Sequence, residues 1–142
     1  MTTIIDYLEK NKEDHPKKIF VQTESHKITY EEMYNKECNF ELGLNQFEEK
    51  SIISIMFENS IEFIISYLGI IKSGKIVHII SPSISKKNFI KQIESCNPKI
   101  ILSLSKFINE FKNVKNTINF LDFYEFEKEN YENRKNKNSD IA

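Results

Sequence analysis

Residues 51–80 read SIISIMFENSIEFIISYLGIIKSGKIVHII, and the order of patterns inside them decides the fold. Ser51 to Phe57 is a short apolar run rich in β-branched residues, the pattern of a strand covered on both faces. Asn59 offers an N-cap with Glu62 three positions on. The helix after it is apolar nearly all round, through Ile61, Ile64, Ile65, Leu68 and Ile71, so it must be buried on more than one side. Gly74 closes it, as glycine does where the chain turns through positive φ, and Ile76 to Ile80 is the next strand. Strand, helix, strand in that order predicts a right-handed parallel crossover.

The unit repeats downstream. Ser83 or Ser85 can cap a helix carrying Phe89, Ile90 and Ile93, Asn97 and Pro98 end it, and Lys99 to Leu104 supplies another buried strand. Phe107 to Val114 is expected as a helix and Thr117 to Leu121 as a further strand. Alternating β and α elements point to an α/β fold with an open, mostly parallel, doubly wound sheet and helices on both faces. From Tyr124 the apolar period is lost among Glu, Lys and Asn, which predicts a solvated loop or frayed helix. The expected organisation is therefore an α/β unit over 1–123 and a polar loop or linker over 124–142.

Upstream, Thr3 to His15 sets Ile4, Ile5, Tyr7 and Leu8 against charges and then meets Pro16, which a helix interior does not tolerate. This is a short N-terminal helix. Ile19 to Gln22 and Lys27 to Thr29 flank the polar stretch from Thr23 to His26, a small hairpin. Thr29 and Glu32 make a capping box from which a helix should run to about Leu44.

Composition excludes several function classes. The 142 residues are enough for one compact domain, and 20 Lys and Arg nearly balance 21 Asp and Glu, so no strong field draws the chain to nucleic acid or an anionic membrane. No basic start precedes a long apolar run, and no stretch of about 18 apolar residues occurs, so neither a secretory signal nor a membrane span is expected and a cytoplasmic location is. Cys38 and Cys96 are far apart, outside any CxxC pair and away from histidine, so they read as packing or surface thiols.

Phosphate cradles need clustered glycines whose amides converge on one anion. Gly43, Gly69 and Gly74 are not clustered. His15, His26 and His78 lie in three unrelated contexts, and no Ser or Cys nucleophile can be matched to one. His78 is the one polar side chain within an apolar strand; it could serve as an acid, base or ligand, but a strand histidine satisfied by a neighbour is the better reading. Tyr30 and Tyr67 read as packed aromatics with one polar end. The many glutamates read as solvated charge on polar helix faces or in loops. No catalytic, cofactor-binding or metal-ligating residue is assigned.

Taken in order, these pieces resemble the N-terminal part of the adenylate-forming (AMP-binding) enzymes: acyl-CoA synthetases, aryl-CoA ligases and peptide-synthetase adenylation domains. The resemblance runs from about Ile4 to Ser103. Ile28-Thr29-Tyr30-Glu31-Glu32-Met33 is similar to the family's first core motif. Glu58-Asn59-Ser60, then Leu68-Gly69-Ile70-Ile71-Lys72-Ser73-Gly74, resembles its Asn-Ser, Leu-Gly and Lys-Ala-Gly stretch. Pro82 fits the proline after the next strand, and Ser95-Cys96-Asn97-Pro98-Lys99-Ile100-Ile101 resembles the step into the following one. Glu49-Lys50 and His78-Ile79 depart from the family's Gly-Asp and Val-Pro. Ser139-Asp140-Ile141-Ala142 resembles the run that leads into the family's phosphate-binding loop.

The resemblance implies ATP-dependent activation of a carboxylate with magnesium, then transfer to a thiol such as coenzyme A. It places the phosphate loop, adenine pocket, ribose carboxylate and mobile lysine later in the chain than any residue here. The expectation that follows is an N-terminal fragment of a ligase, inactive alone, whose partner is the remainder of the synthetase or a complementing polypeptide, with an open sheet edge and exposed apolar surface around Lys99 to Leu121. The alternative is a free-standing α/β binding or interaction module without catalysis.

Overall fold

The computed structural model describes residues 3–115 and 117–139. In chain order the elements are α1 (Ile4–Asp14), β1 (Ile19–Gln22), β2 (Lys27–Thr29), α2 (Tyr30–Leu44), β3 (Ile52–Met56), α3 (Ile61–Lys72), β4 (Ile76–Ile80), α4 (Lys86–Cys96), β5 (Ile100–Ser103), α5 (Ser105–Phe111), β6 (Phe120–Asp122) and α6 (Phe123–Ser139). β1 and β2 pair antiparallel as the expected hairpin. The main sheet has the order β4-β3-β5-β6 and is parallel in every pairing among the described residues.

The strand order dictates the layering. The chain leaves β3 for β4 through α3, then returns past β3 to β5 through α4. Two crossovers of one hand run in opposite directions must put their helices on opposite faces. The packing agrees: Ile65, Leu68 and Ile70 of α3 share a core with Ile53 and Ile55 of β3, while Phe89 of α4 shares the other core with Met56, Ile80 and Ile101. The first core also takes Leu8, Ile28, Phe40, Phe123 and Phe126, so α1, the hairpin, α2 and α6 lie on the α3 side. The second takes Phe107 and Phe111 of α5. Alternation along β3 divides its side chains between the two cores, as a two-sided strand requires.

Local chemistry sets the helix ends. Thr29 Oγ1 accepts from the Glu32 amide at 3.2 Å while Glu32 Oε1 accepts from the Thr29 amide at 3.3 Å, the reciprocal box expected. Thr3 and Asp6 repeat it on α1. Ser60, not Asn59, caps α3: its Oγ accepts from the Phe63 amide at 3.2 Å and donates to the Glu58 carbonyl at 2.9 Å. The second bond fastens the serine to the end of β3, which Asn59 one residue earlier does not do. Ser85 is the cap of α4, and Asn97 closes it in the left-handed region at φ 50°. Gly74 has φ 77°, as its place after α3 requires.

Two glycines allow helices to touch. A Cβ on Gly69 of α3 would lie 2.5 Å from Phe40 Cβ of α2, and one on Gly43 of α2 would lie 2.3 Å from Asn130 Nδ2 of α6. Both are steric conflicts, so the close α2–α3 and α2–α6 approaches depend on the missing methyl groups.

Two expectations change. Residues 124–139, expected as a solvated loop or frayed helix, are the body of α6, and residues 140–142, including most of the Ser139–Ala142 run, lie outside the described residues. The helix is held by a narrow stripe instead of a broad apolar face: Phe123, Phe126 and Asn130 are buried, and Glu127 and Arg134 reach α2 through Lys36 and Asn39. So thin a stripe among charges leaves no apolar period to read. Asp122 adds a start signal, its Oδ1 accepting from the amides of Tyr124 and Glu125 at 3.0 and 3.1 Å. Second, the stretch Lys99 to Leu121 is not an exposed apolar surface, because its large side chains are taken up by both cores: Ile100 and Leu102 by the one on the α3 side, and Ile101, Phe107 and Phe111 by the one that holds Phe89 of α4. Exposed apolar side chains lie instead on the edge strand β4, where Ile76 and Ile79 are each 49% exposed. No helix among the described residues is long and apolar enough to cross a membrane.

Candidate functional site

In doubly wound sheets, ligands bind beyond the carboxyl ends of the strands, where the connections diverge. Here that point lies between β3 and β5. Its floor is stitched: Ser103 Oγ, buried, donates to the Met56 carbonyl at 2.5 Å across the two strand ends. Space opens instead on either side of the segment from Glu58 to Ser60.

One cleft, of about 740 Å³, is lined by Phe57, Glu58 and Asn59 after β3, by Ile79 to Ser83 at and after β4, and by Phe63, Gln92 and Phe107. Its lining mixes apolar side chains with uncharged polar ones and Glu58. The other, of about 500 Å³, lies between the hairpin tip, the starts of α2 and α3, and the start of α6; its polar lining includes His26, Lys36, Glu62, Tyr124 and Glu127. Asn59 borders both clefts.

The polar cleft is internally paired. Tyr124 donates its hydroxyl to Glu62 Oε1 at 2.5 Å, joining α6 to the first turn of α3. Burial pushes the Glu62 carboxyl up, but the Tyr124 hydroxyl, its own amide, the Ser60 hydroxyl and His26 outweigh this and hold it below the usual carboxylate range. The same bond, with burial, pushes the Tyr124 phenol up to about 12. Lys36 donates to Glu127 at 2.8 Å. The arrangement can fix the α3–α6 corner and present polar groups, with Lys36 and Glu127 neutralising each other.

The histidines stay apart, as their contexts suggested. His15 caps the end of α1, and His26 sits at the hairpin tip with its Nδ1 2.9 Å from Ser25 Oγ. His78 pairs in register with Ser54 of β3, and the two are hydrogen-bonded, Oγ to Nδ1, at 2.8 Å. Burial lowers its pKa, with Gln92 opposing. This is the strand histidine satisfied by a neighbour, half-way along the edge strand β4 and away from its carboxyl end; its partner Ser54 is fully buried. Tyr30 packs at 5.1 Å on Phe20 and Tyr67 stacks at 6.2 Å on Phe63, both aromatics of the core margin. Cys38 and Cys96 are free thiols.

A nucleotide phosphate and its metal do not fit these residues. Gly43 and Gly69 sit inside helices against Asn130 and Phe40, Gly74 lies at the opposite end of the sheet before β4, and no group of three or more metal-ligating side chains occurs among the described residues. No step through ATP or magnesium is therefore derived from this surface.

One ionisable group escaped the sequence reading. Glu37 is 1% exposed, and neither carboxyl oxygen has a hydrogen-bond partner among the described residues. Composition alone puts it among the solvated glutamates, yet Met33, Glu37, Phe40 and Leu44 follow the 3.6-residue period, so the spacing carries a signal of its burial.

Comparison with known proteins adds the following. The family model described as AMP-binding enzyme matches residues 8–141. The chain is 28% identical over 91 residues to 4-coumarate:CoA ligase 1 of Petunia hybrida, covering 63% of this chain and 17% of that one. It is 30% identical over 95 residues to gramicidin S synthase 2 of Brevibacillus brevis, covering 66% of this chain and 2% of that one. Among solved structures, VinN in complex with L-aspartate superposes with TM-score 0.82 at 12% identity, over 91% of this chain and 38% of that one. O-succinylbenzoate coenzyme A synthetase from Bacillus subtilis, in complex with AMP, superposes with TM-score 0.75 at 17% identity, over 86% and 32%. The chain thus spans less than a fifth of the curated relatives' length.

Proposed function

Because the chain belongs to the AMP-binding enzyme family, we propose that it is the N-terminal section of an acid–thiol ligase of the acyl-CoA synthetase type and does not catalyse alone. The family match over 8–141 carries this reading. The complete enzyme joins a carboxylate to the α-phosphate of ATP, expelling pyrophosphate, and the acyl carbon then passes to a thiol such as coenzyme A with release of AMP. Adenylation converts a poor leaving oxygen into a good one, and metal and donors spread charge on the transferring phosphate. The described residues supply the scaffold: a rigid parallel sheet whose carboxyl rim meets the remainder of the synthetase, or a complementing polypeptide, in the cytoplasm.

ATP–pyrophosphate exchange tests this. The polypeptide alone should give the no-enzyme background with any carboxylate; exchange well above background overturns the reading. A second reading, a free-standing α/β binding module, is favoured by one observation, the burial of the apolar side chains of Lys99 to Leu121 within the two cores of this chain. It requires a monomer that stays in solution without any partner, whereas the ligase-section reading expects solubility to improve on co-expression with a downstream subdomain.

A further inference from the structure

The layer built by α1, α2 and α3 contains an ionisable group that neither cleft uses. Glu37 lies mid-way along the buried stripe of α2, with Met33 and Phe40 a turn to either side, and both its carboxyl oxygens are without hydrogen-bond partners among the described residues. A carboxylate in that position is far less favourable than the neutral acid. The cation whose field reaches it is Lys72 of α3, and Lys72 is already engaged: its ammonium donates to Glu9 Oε1 of α1 at 2.9 Å, lies 3.8 Å from Glu41 Oε2, and sits 5.3 Å from the centre of the Tyr34 ring. Glu9 acts on Glu37 with like charge.

The other groups around α2 are committed elsewhere. Lys12 of α1 lies 4.5 Å over Tyr34, and Cys38 interacts with Tyr34 and Lys72. On the α6 side Glu127 holds Lys36 and Arg134 holds Asn35 and Asn39, while Lys17, at the entry to the hairpin, holds Glu31. α1 is the weakly tied partner: Leu8 is its one buried residue, and its ion pair to α3 runs through Lys72.

We propose that Glu37 is a proton-gated latch for α1: protonated, it leaves Lys72 to Glu9 and the three helices stay closed; ionised, it draws Lys72 from Glu9 and releases α1. The inference is independent of ligase chemistry. Burial pushes the carboxyl up to about 7, with Lys72 opposing and Glu9 adding, so the change falls near neutrality.

Hydrogen–deuterium exchange on the full chain between pH 5.5 and 8.5, corrected for the intrinsic pH dependence of exchange, tests it. Protection of Ile4–Asp14 should fall by up to about tenfold per pH unit above a midpoint near 7, while Lys86–Cys96 on the opposite face stays constant. E37Q should hold α1 protected throughout, and E9Q should leave it weakly protected at every pH. An α1 protection that does not change with pH in the parent chain, or that changes equally in E37Q, overturns the proposal. Should E37Q fail to fold, carboxyl-carbon NMR of the parent chain still decides: a Glu37 midpoint near the ordinary carboxylate value overturns the latch, and one near neutrality supports it.

Discussion

Glu37 and Glu62 are two carboxyls of one layer pushed in opposite directions, and stability should follow each with opposite sign. Glu37 titrates near 7 when folded against an ordinary 4.5; its neutral form is the stable one. That stability is present below the unfolded value and lost as pH rises towards 7, by about 3 kcal/mol. Urea titrations of parent and E37Q chains at pH 5 and pH 8 should show the difference shrinking in the variant. Glu62, held low, contributes above its unfolded value and loses that contribution as pH falls. Tyr124→Phe removes the hydroxyl that helps to hold it low, and because Tyr124 is 56% exposed the cost should be modest, about 1 kcal/mol near pH 7 and less near pH 3. Histidine placement was legible in the sequence, since an isolated polar residue in an apolar strand needs a neighbour. Its partner Ser54 was not, because register between strands 24 positions apart is a property of the sheet.

At the scale of elements, caps and close approaches make the sharpest predictions. Ser60→Ala should cost about 1 kcal/mol and Asn59→Ala almost nothing, measured by thermal melts. The sequence reading places the cap at Asn59, and the bonds of Ser60 to the Phe63 amide and the Glu58 carbonyl move it one residue on. Gly69→Ala gains helix propensity of about 1 kcal/mol, but its methyl would meet Phe40 Cβ at 2.5 Å, an atom that moves only with its helix. A net loss of about 1–3 kcal/mol is expected. Gly43→Ala should cost less, because the obstacle is the end of the Asn130 side chain. Nearly every strand and helix was legible from period and punctuation. α6 was not, because Phe123, Phe126 and Asn130, the buried positions among its described residues, carry it, and what those positions match is a surface of α2.

At the scale of the molecule, the two cores share one sheet, with Ile53 and Ile55 facing one side and Met56 the other. Neither can be lost without stripping the strands of a face, so far-UV circular dichroism and tyrosine fluorescence should report a single coincident urea transition. The sheet order was legible as a class, because strand–helix–strand patterns demand parallel crossovers, while the placing of β3 inside β4 awaited the structure. α2 carries the consequence that reaches furthest. It packs against α1, the hairpin, α3 and α6 at once, yet its ties to α6 join residues 91 to 99 positions apart. During synthesis at about 5–20 residues per second, α2 would wait on the order of 5–20 s with that flank bare before its last neighbour leaves the ribosome. Arrival of α6 is thus the step that covers this flank of α2, and a nascent chain halted before Phe123 should be the form that chaperones hold.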